Sequence, residues 1–240
     1  MAGEEKSAQV NELKAGVGRS LAEAAYAAIR QDVLSGMLEP GSKLRFEMLR
    51  QRYGYGSSTL REALTRLVGE SLVTFEEQRG FRVAPISLAD LADLTAIRIF
   101  IESKALEEAI RVGTDDWEAG VVAAYHRLSK IEARMAADHE TDNSDEVEER
   151  NRAFHLALIS ACPSRWLNHL YGILFQQSER YRRISRREHH IPRDTHAEHK
   201  AIFEATMARD ARAACEASRQ HIEITLQNIA LMFSSDSVAL

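Results

Sequence analysis

The stretch from Arg45 to Val83, RFEMLRQRYGYGSSTLREALTRLVGESLVTFEEQRGFRV, admits few folds. Phe46, Leu49 and Tyr53 recur at helical spacing, Gly54 and Gly56 interrupt the pattern, and a second amphipathic run begins near Ser58. Thr59 and Glu62 have the spacing of a capping box for that second helix. Leu60, Leu64, Leu67 and Val68 give it one apolar face, which leaves Ser57, Ser58, Thr59, Arg61, Thr65 and Arg66 to the turn and the polar side. Leu72 to Phe75 and Phe81 to Val83 are rich in strand formers and flank a Glu-Glu-Gln-Arg-Gly tip, which predicts a hairpin. Two helices joined by a glycine turn and followed by a hairpin form a winged helix-turn-helix pattern. Short hydroxyls and arginines suit a nucleic-acid groove, and Arg79 with Gly80 at the tip can approach a phosphate or a minor groove. The plainer alternative is a small surface hairpin on a helical core.

Charge becomes informative when divided along the chain. The net charge is −5, yet residues 19 to 85 carry 10 basic and 8 acidic side chains while residues 86 to 240 carry 19 and 25. A mildly basic segment attached to an acidic body fits a reader of short DNA sites better than a protein that coats nucleic acid. With 240 residues, two domains are expected, changing over near Pro85. Before it lie short helices and a hairpin; after it the periodicity is helical throughout. The fold class is therefore mainly α, a winged helix-turn-helix followed by an all-α bundle. The two cysteines, Cys162 and Cys215, have helical, partly apolar surroundings and suggest a reduced, cytoplasmic setting without disulfides. No apolar run approaches the roughly 18 residues of a membrane span, and no signal-peptide core is visible.

Taken in order, residues 1 to 18 read as a polar tail. Ser20 and Glu23 form a capping box for a helix that stops at Gly36, and Pro40-Gly41 makes a turn. The run IRQDVLSGMLEPGSKL, then LRQRYGYGSSTLREALTRLVGESLV and QRGFRV, resembles the DNA-binding domain of the GntR family of bacterial regulators over about residues 19 to 85. The resemblance implies operator contacts from Arg50, Ser57, Ser58, Thr59, Arg61, Arg66, Arg79 and Gly80. This chain departs from the family pattern where most relatives carry arginine at the position of Ser57 and serine or threonine at that of Gly56. Recognition then falls to Ser58, Thr59, Arg61 and the Arg79-Gly80 wing.

Beyond Pro85, Ser87 with Asp90 caps a helix from about Leu88 to Val112. Its register buries Arg98 among Leu91, Leu94, Ile101 and Ala105, and a buried arginine needs an anion, either Glu102 one turn on or a bound ligand. A second helix runs from Asp115 to about Ala137, the acidic stretch 138 to 146 is a solvated connection, and a third helix spans about Asp145 to Ala161. Ser164 caps a fourth helix through about Arg187, with Trp166, Leu170, Ile173, Leu174, Gln177, Tyr181 and Ile184 on its apolar side and a basic end where Arg180 and Tyr181 border the interior. Thr195 and Glu198 cap a fifth, and Asp210 starts the last.

His155, His199 and His221 come from three of these helices, each among apolar residues. Burying several imidazoles is costly unless a metal or a strong acceptor uses them, so a metal site and a set of satisfied core histidines both remain open. Together with the Arg98 and Glu102 pair, the Phe-His, Glu-His and His-Ile elements over about residues 88 to 232 resemble the FCD effector domain of the FadR-like branch of GntR regulators. The resemblance implies an all-helical, dimer-forming bundle that holds a divalent metal (zinc, nickel or manganese) beside a small carboxylate. Its ligands would be Asn151, His155, His199 and His221, with Asn151 standing where many relatives have aspartate. His189, His190 and His196 do not match ligand positions. Arg98, Glu102, Arg180 and Tyr181 would contact the effector. Details such as QSERYRR look most like the carbon-starvation-induced regulator subgroup, which implies a homodimeric, cytoplasmic repressor of a catabolic operon, reading an inverted repeat. Residues 233 to 240 read as a C-terminal tail. The alternatives are a helical metalloenzyme with an accessory DNA-binding domain, although no HExxH pair occurs, and a constitutive DNA binder with structural histidines.

Overall fold

The computed structural model describes residues 20–137, 144–188 and 193–236. The N-terminal tail, His189, His190 and residues 138–143 of the acidic connection lie outside the described residues. The chain divides into two compact units that change over between Ala84 and Pro85.

In the first unit, α1 spans Leu21–Leu34, α2 Phe46–Tyr53 and α3 Ser57–Gly69, followed by strands β1 (Val73–Glu76) and β2 (Gly80–Val83). The Ser20 hydroxyl accepts the Glu23 amide, so the expected cap of α1 forms. Helix α2 ends on Gly54, whose φ of 73° is the left-handed conformation that glycine adopts without a Cβ penalty, and the chain re-enters α3 after two residues. The expected Thr59–Glu62 capping box does not form: α3 starts three residues earlier, Gly56 occupies the N-cap, and no side chain caps it. Thr59 is already inside the first turn, where its hydroxyl cannot serve as a cap. Ile29, Leu49, Leu60, Leu64, Leu67, Leu72 and Val83 close the core. The hairpin pairs Val73 with Val83 through Glu76 with Gly80, and Lys43 bridges to Arg82 on its edge.

The second unit contains α4 (Leu88–Val112), α5 (Asp115–Ala137), α6 (Ser144–Ile159), α7 (Arg165–Glu188), α8 (Thr195–Met207) and α9 (Ala211–Asp236). Helix α4 packs mainly against α9 and α7, α5 against α6 and α8, and α8 against α9. Ala105, Leu106, Val121, Leu128, Phe154, Leu158, Tyr171, Phe175 and Ile202 share one core. Ser87 and Ser164 accept amides at the starts of α4 and α7, and Asp210 does so before α9, all as expected from sequence. The cap of α8 differs: Asp194 accepts the Ala197 amide, one residue before the expected Thr195. Carboxylates cap at least as well as threonine, so the helix starts on the better acceptor. Trp166 and Leu170, expected inside, are 62% and 42% exposed. Helix α6 begins at Ser144, within the stretch assigned to the acidic connection, and α9 extends through Asp236 into the expected C-terminal tail.

Candidate regulatory sites

The candidate DNA face combines the N-terminus of α3 with the wing. Ser57, Ser58 and Arg61 are exposed, as is Arg79 at the hairpin tip, while Thr59 and Gly80 are partly covered. Because no side chain caps α3, its first amides and positive dipole end are presented beside Ser57 and Ser58, an arrangement suited to a phosphate oxygen. Arg61 lies over the Phe46 ring at 5.2 Å, which orients its guanidinium, and no carboxylate pairs with it among the described residues. Arg50 borders a shallow hollow with Gln51, Gly54 and Tyr55 in the turn. Arg66 faces another way: it pairs with Glu23 at 2.6 Å and stacks on Tyr26 at 3.9 Å, so it ties α3 to α1. Its place on the polar side of α3 gave no hint of that tie.

In the second unit the three histidines converge. His155 comes from α6, His199 from α8 and His221 from α9; their ring centroids lie 4.6 to 5.5 Å apart. One nitrogen from each falls within 4.8 Å of the others, so the cluster can hold a metal ion. All three are buried, and among the described residues both ring nitrogens of His155 and Nε2 of His199 have no hydrogen-bond partner. Buried imidazole nitrogens without partners, on histidines that converge in one cluster, fit a divalent ion with nitrogen preference better than a satisfied core. Burial lowers His155 to about 4, against the opposing pull of Glu102. Burial also holds His221 well below its ordinary value, with His199, His155 and Arg193 adding to the effect. Both imidazoles are thus neutral at physiological pH, the form that ligates metals. Asn151 is buried one helical turn before His155 on α6.

Next to this cluster sits the Arg98 and Glu102 pair, with Nε to Oε2 at 3.1 Å and both side chains almost fully buried. Glu102 also accepts the Ser218 hydroxyl at 2.7 Å and lies 3.4 Å from His155 Nδ1. Burial alone would raise the Glu102 carboxyl, but Arg98, His155 and Ser218 bring it down to about 2. Arg98 therefore has its internal anion and also borders the histidines.

Arg180 and Tyr181 are placed elsewhere. The Tyr181 hydroxyl donates to Asp90 Oδ2 at 2.6 Å and meets the Ser87 backbone at 3.2 Å, while Arg180 reaches the Pro85 carbonyl. That level of α4 is eight residues before Arg98, about 12 Å along the helix axis. The residues of α7 that accompany Arg98 are Tyr171, Phe175 and Arg182. Both guanidiniums lie 4.8 Å from the Phe175 ring, and Arg182 is clamped by Glu148 at 2.9 Å. The Tyr171 hydroxyl is buried near Arg98 and meets the distance and angle of a hydrogen bond with none of the described residues. Sequence reasoning missed Tyr171, Arg182 and Glu148. It also missed Glu132 and Glu198, which hold His199 and His221.

Residues 21–83 match the bacterial regulatory proteins of the gntR family, and residues 93–224 match the FCD domain. The chain belongs to the GntR family of regulators with an FCD domain. This GntR regulator is 41% identical to the uncharacterized HTH-type transcriptional regulator BphR of Paraburkholderia xenovorans, a match covering 94% of this chain and 92% of that protein. It is 38% identical to the HTH-type transcriptional repressor GlaR of Escherichia coli, over 82% of this chain and 90% of that one. Among solved structures, E. coli McbR/YncC superposes with a TM-score of 0.70 at 19% identity, covering 91% of this chain and 99% of that one. A GntR family member from Pseudomonas syringae pv. tomato gives a TM-score of 0.55 at 23% identity, with coverages of 90% and 88%. These structural likenesses establish the fold. The relatives are transcription regulators, and this chain is a DNA-binding regulator, not an enzyme. Among the described residues no helix is long and apolar enough to cross a membrane.

Proposed function

We propose that this GntR regulator is a cytoplasmic, homodimeric repressor of a catabolic operon, controlled by a small carboxylate bound beside a divalent metal in the FCD unit. The observation that carries the reading is the convergence of three buried histidines, two with orphaned Nε2 atoms, beside a buried arginine. His155, His199 and His221 would hold zinc, nickel or manganese, with Asn151 offering an amide oxygen from the same face of α6. A bound metal supplies an electrophilic anchor for a carboxylate oxygen. Arg98 contributes a fixed positive charge, and Tyr171 and Arg182 bound the space beside it. Arg180 and Tyr181, with partners at the start of α4, serve the helix packing there instead. Two winged units would read the halves of an inverted repeat, and effector binding shifts DNA affinity only as far as it prefers one arrangement of those units.

The test is a thermal-shift screen of mono- and dicarboxylates with each metal, followed by fluorescence anisotropy on an operator duplex. Metal should raise the melting temperature, and a matching carboxylate should change operator affinity about 5- to 150-fold. If zinc, nickel and manganese all leave the melting temperature unmoved, the metal reading fails. Light scattering should give twice the chain mass; a monomer would remove the dimer.

On the DNA face, Arg61→Ala is expected to weaken operator binding by about 1–3 kcal/mol, roughly 5- to 150-fold, with the fold intact. Arg66→Ala should change the melting temperature only slightly, since its pair with Glu23 is exposed. Equal gel-shift losses from the two variants would remove the distinction drawn between them.

A further inference from the structure

We propose that Glu132 and Glu198 are positioning residues that orient His199 and His221, so that both ligate metal through Nε2, and that Glu132 supplies the negative charge Asn151 does not. The proposal rests on the metal reading above. His199 Nδ1 lies 2.6 Å from Glu132 Oε1, and His221 Nδ1 lies 2.8 Å from Glu198 Oε2. An ionised carboxylate only accepts, so each contact places the imidazole proton on Nδ1 and the lone pair on Nε2. The Nε2 atom of His199 is orphaned and buried, as this tautomer requires of a nitrogen that awaits a ligand.

The two carboxylates are fixed independently of any ion. Glu132, from α5, is buried and also meets His196 Nδ1 at 3.2 Å with its second oxygen. Glu198, from α8, is gripped by Arg193, whose Nε reaches Oε1 at 2.8 Å and whose terminal nitrogen reaches Oε2 at 2.5 Å. Arg193 donates further to the Thr225 hydroxyl and the His221 carbonyl, which locks the end of α8 to α9. Its 3.3 Å approach to His221 Nδ1 is longer than that of the carboxylate, so Glu198 remains the acceptor of that proton. Each glutamate thus bridges to a ligand on a different helix, α5 to α8 and α8 to α9. Carboxylates behind metal-ligating imidazoles raise ligand basicity and fix ring orientation. A neutral amide at position 151 leaves the ligand set without its customary anion, and Glu132 restores one negative charge, while the charge of Glu198 is balanced by Arg193.

The experiment uses the full-length protein and zinc as the probe. Competition with a chromophoric chelator should show zinc affinity about 10- to 100-fold weaker in both Glu132→Gln and Glu198→Gln. Glu132→Asp, which keeps the charge, should regain part of the loss. Imidazole nitrogen NMR on the zinc-loaded wild type, which needs no variant to fold, should show Nε2 ligated and Nδ1 protonated on His199 and His221. Wild-type zinc binding with Nδ1 ligation, or with both variants binding as tightly as wild type, overturns this proposal and leaves the metal reading standing. A wild type that binds no metal overturns both.

Discussion

Replacing Arg98 by methionine is expected to destabilise the helical unit by about 3–5 kcal/mol, because it strands a buried carboxylate. Side chains of Arg98 and Glu102 are 2% and 3% exposed, so solvent does little to weaken their attraction. Burial alone pushes the Glu102 carboxyl toward its neutral form, and Arg98 is the largest influence holding it ionised. Methionine keeps much of the arginine's length and its contact with Phe175, so cavity formation adds little and the charge effect dominates. In a unit of this size, thermal unfolding should start roughly 6–20 °C lower. The double variant Arg98→Met with Glu102→Met should recover most of that loss, since replacing both members of a buried pair by apolar groups is often neutral. Circular dichroism melts check both. A single variant melting within about 2 °C of wild type would show that water reaches the pair and that its burial is overstated. The same charge balance lets Arg98 lie inside the core, because Glu102 neutralises it there.

The winged unit was legible because its information is local. Glycines at positions 54 and 56, the alternation of Leu60, Leu64 and Leu67, and the Gly80 tip each act within a few residues, and most caps could be read the same way. The exception at Thr59 came from a competing start at Ser57 that local patterning does not rank. In the helical unit residue patterning alone listed the histidines and only the family resemblance joined them, since their meeting depends on the register of α6, α8 and α9. Helix α7 was less readable still. From Phe175 to Ser185 it is buried almost all round, so no polar face exists to show which arginine points toward the site. Arg180 and Arg182 differ by two residues and therefore by nearly opposite directions, and only packing separates them. Glu132 looks like an ordinary surface charge in sequence and Glu198 like part of a helix cap, because a carboxylate behind an imidazole leaves no spacing signature.

His199→Ala is expected to abolish metal binding while leaving operator recognition within about twofold, since every candidate DNA contact lies in the winged unit. His199 belongs to the converging cluster, with its ring 4.6 Å from His221 and 5.5 Å from His155. Its removal leaves two imidazoles and the neutral Asn151, and the loss should exceed the roughly 10- to 100-fold that an outer partner contributes. Metal in excess by 100-fold over its dissociation constant stabilises a folded protein by about 2.7 kcal/mol, so the metal-induced rise in melting temperature should vanish in the variant. His196→Ala is the informative comparison. His196 shares Glu132 with His199 and lies 6.5 Å from the Tyr125 ring in a stacked arrangement, yet its side chain is 49% exposed and it falls outside the converging set. Its loss should leave metal content intact and weaken affinity only slightly, because Glu132 keeps its shorter contact with His199. Elemental analysis of both purified variants decides between them: metal retained without His199 but lost without His196 would transfer the ligand role to the exposed ring and undo the geometry argued for the buried one.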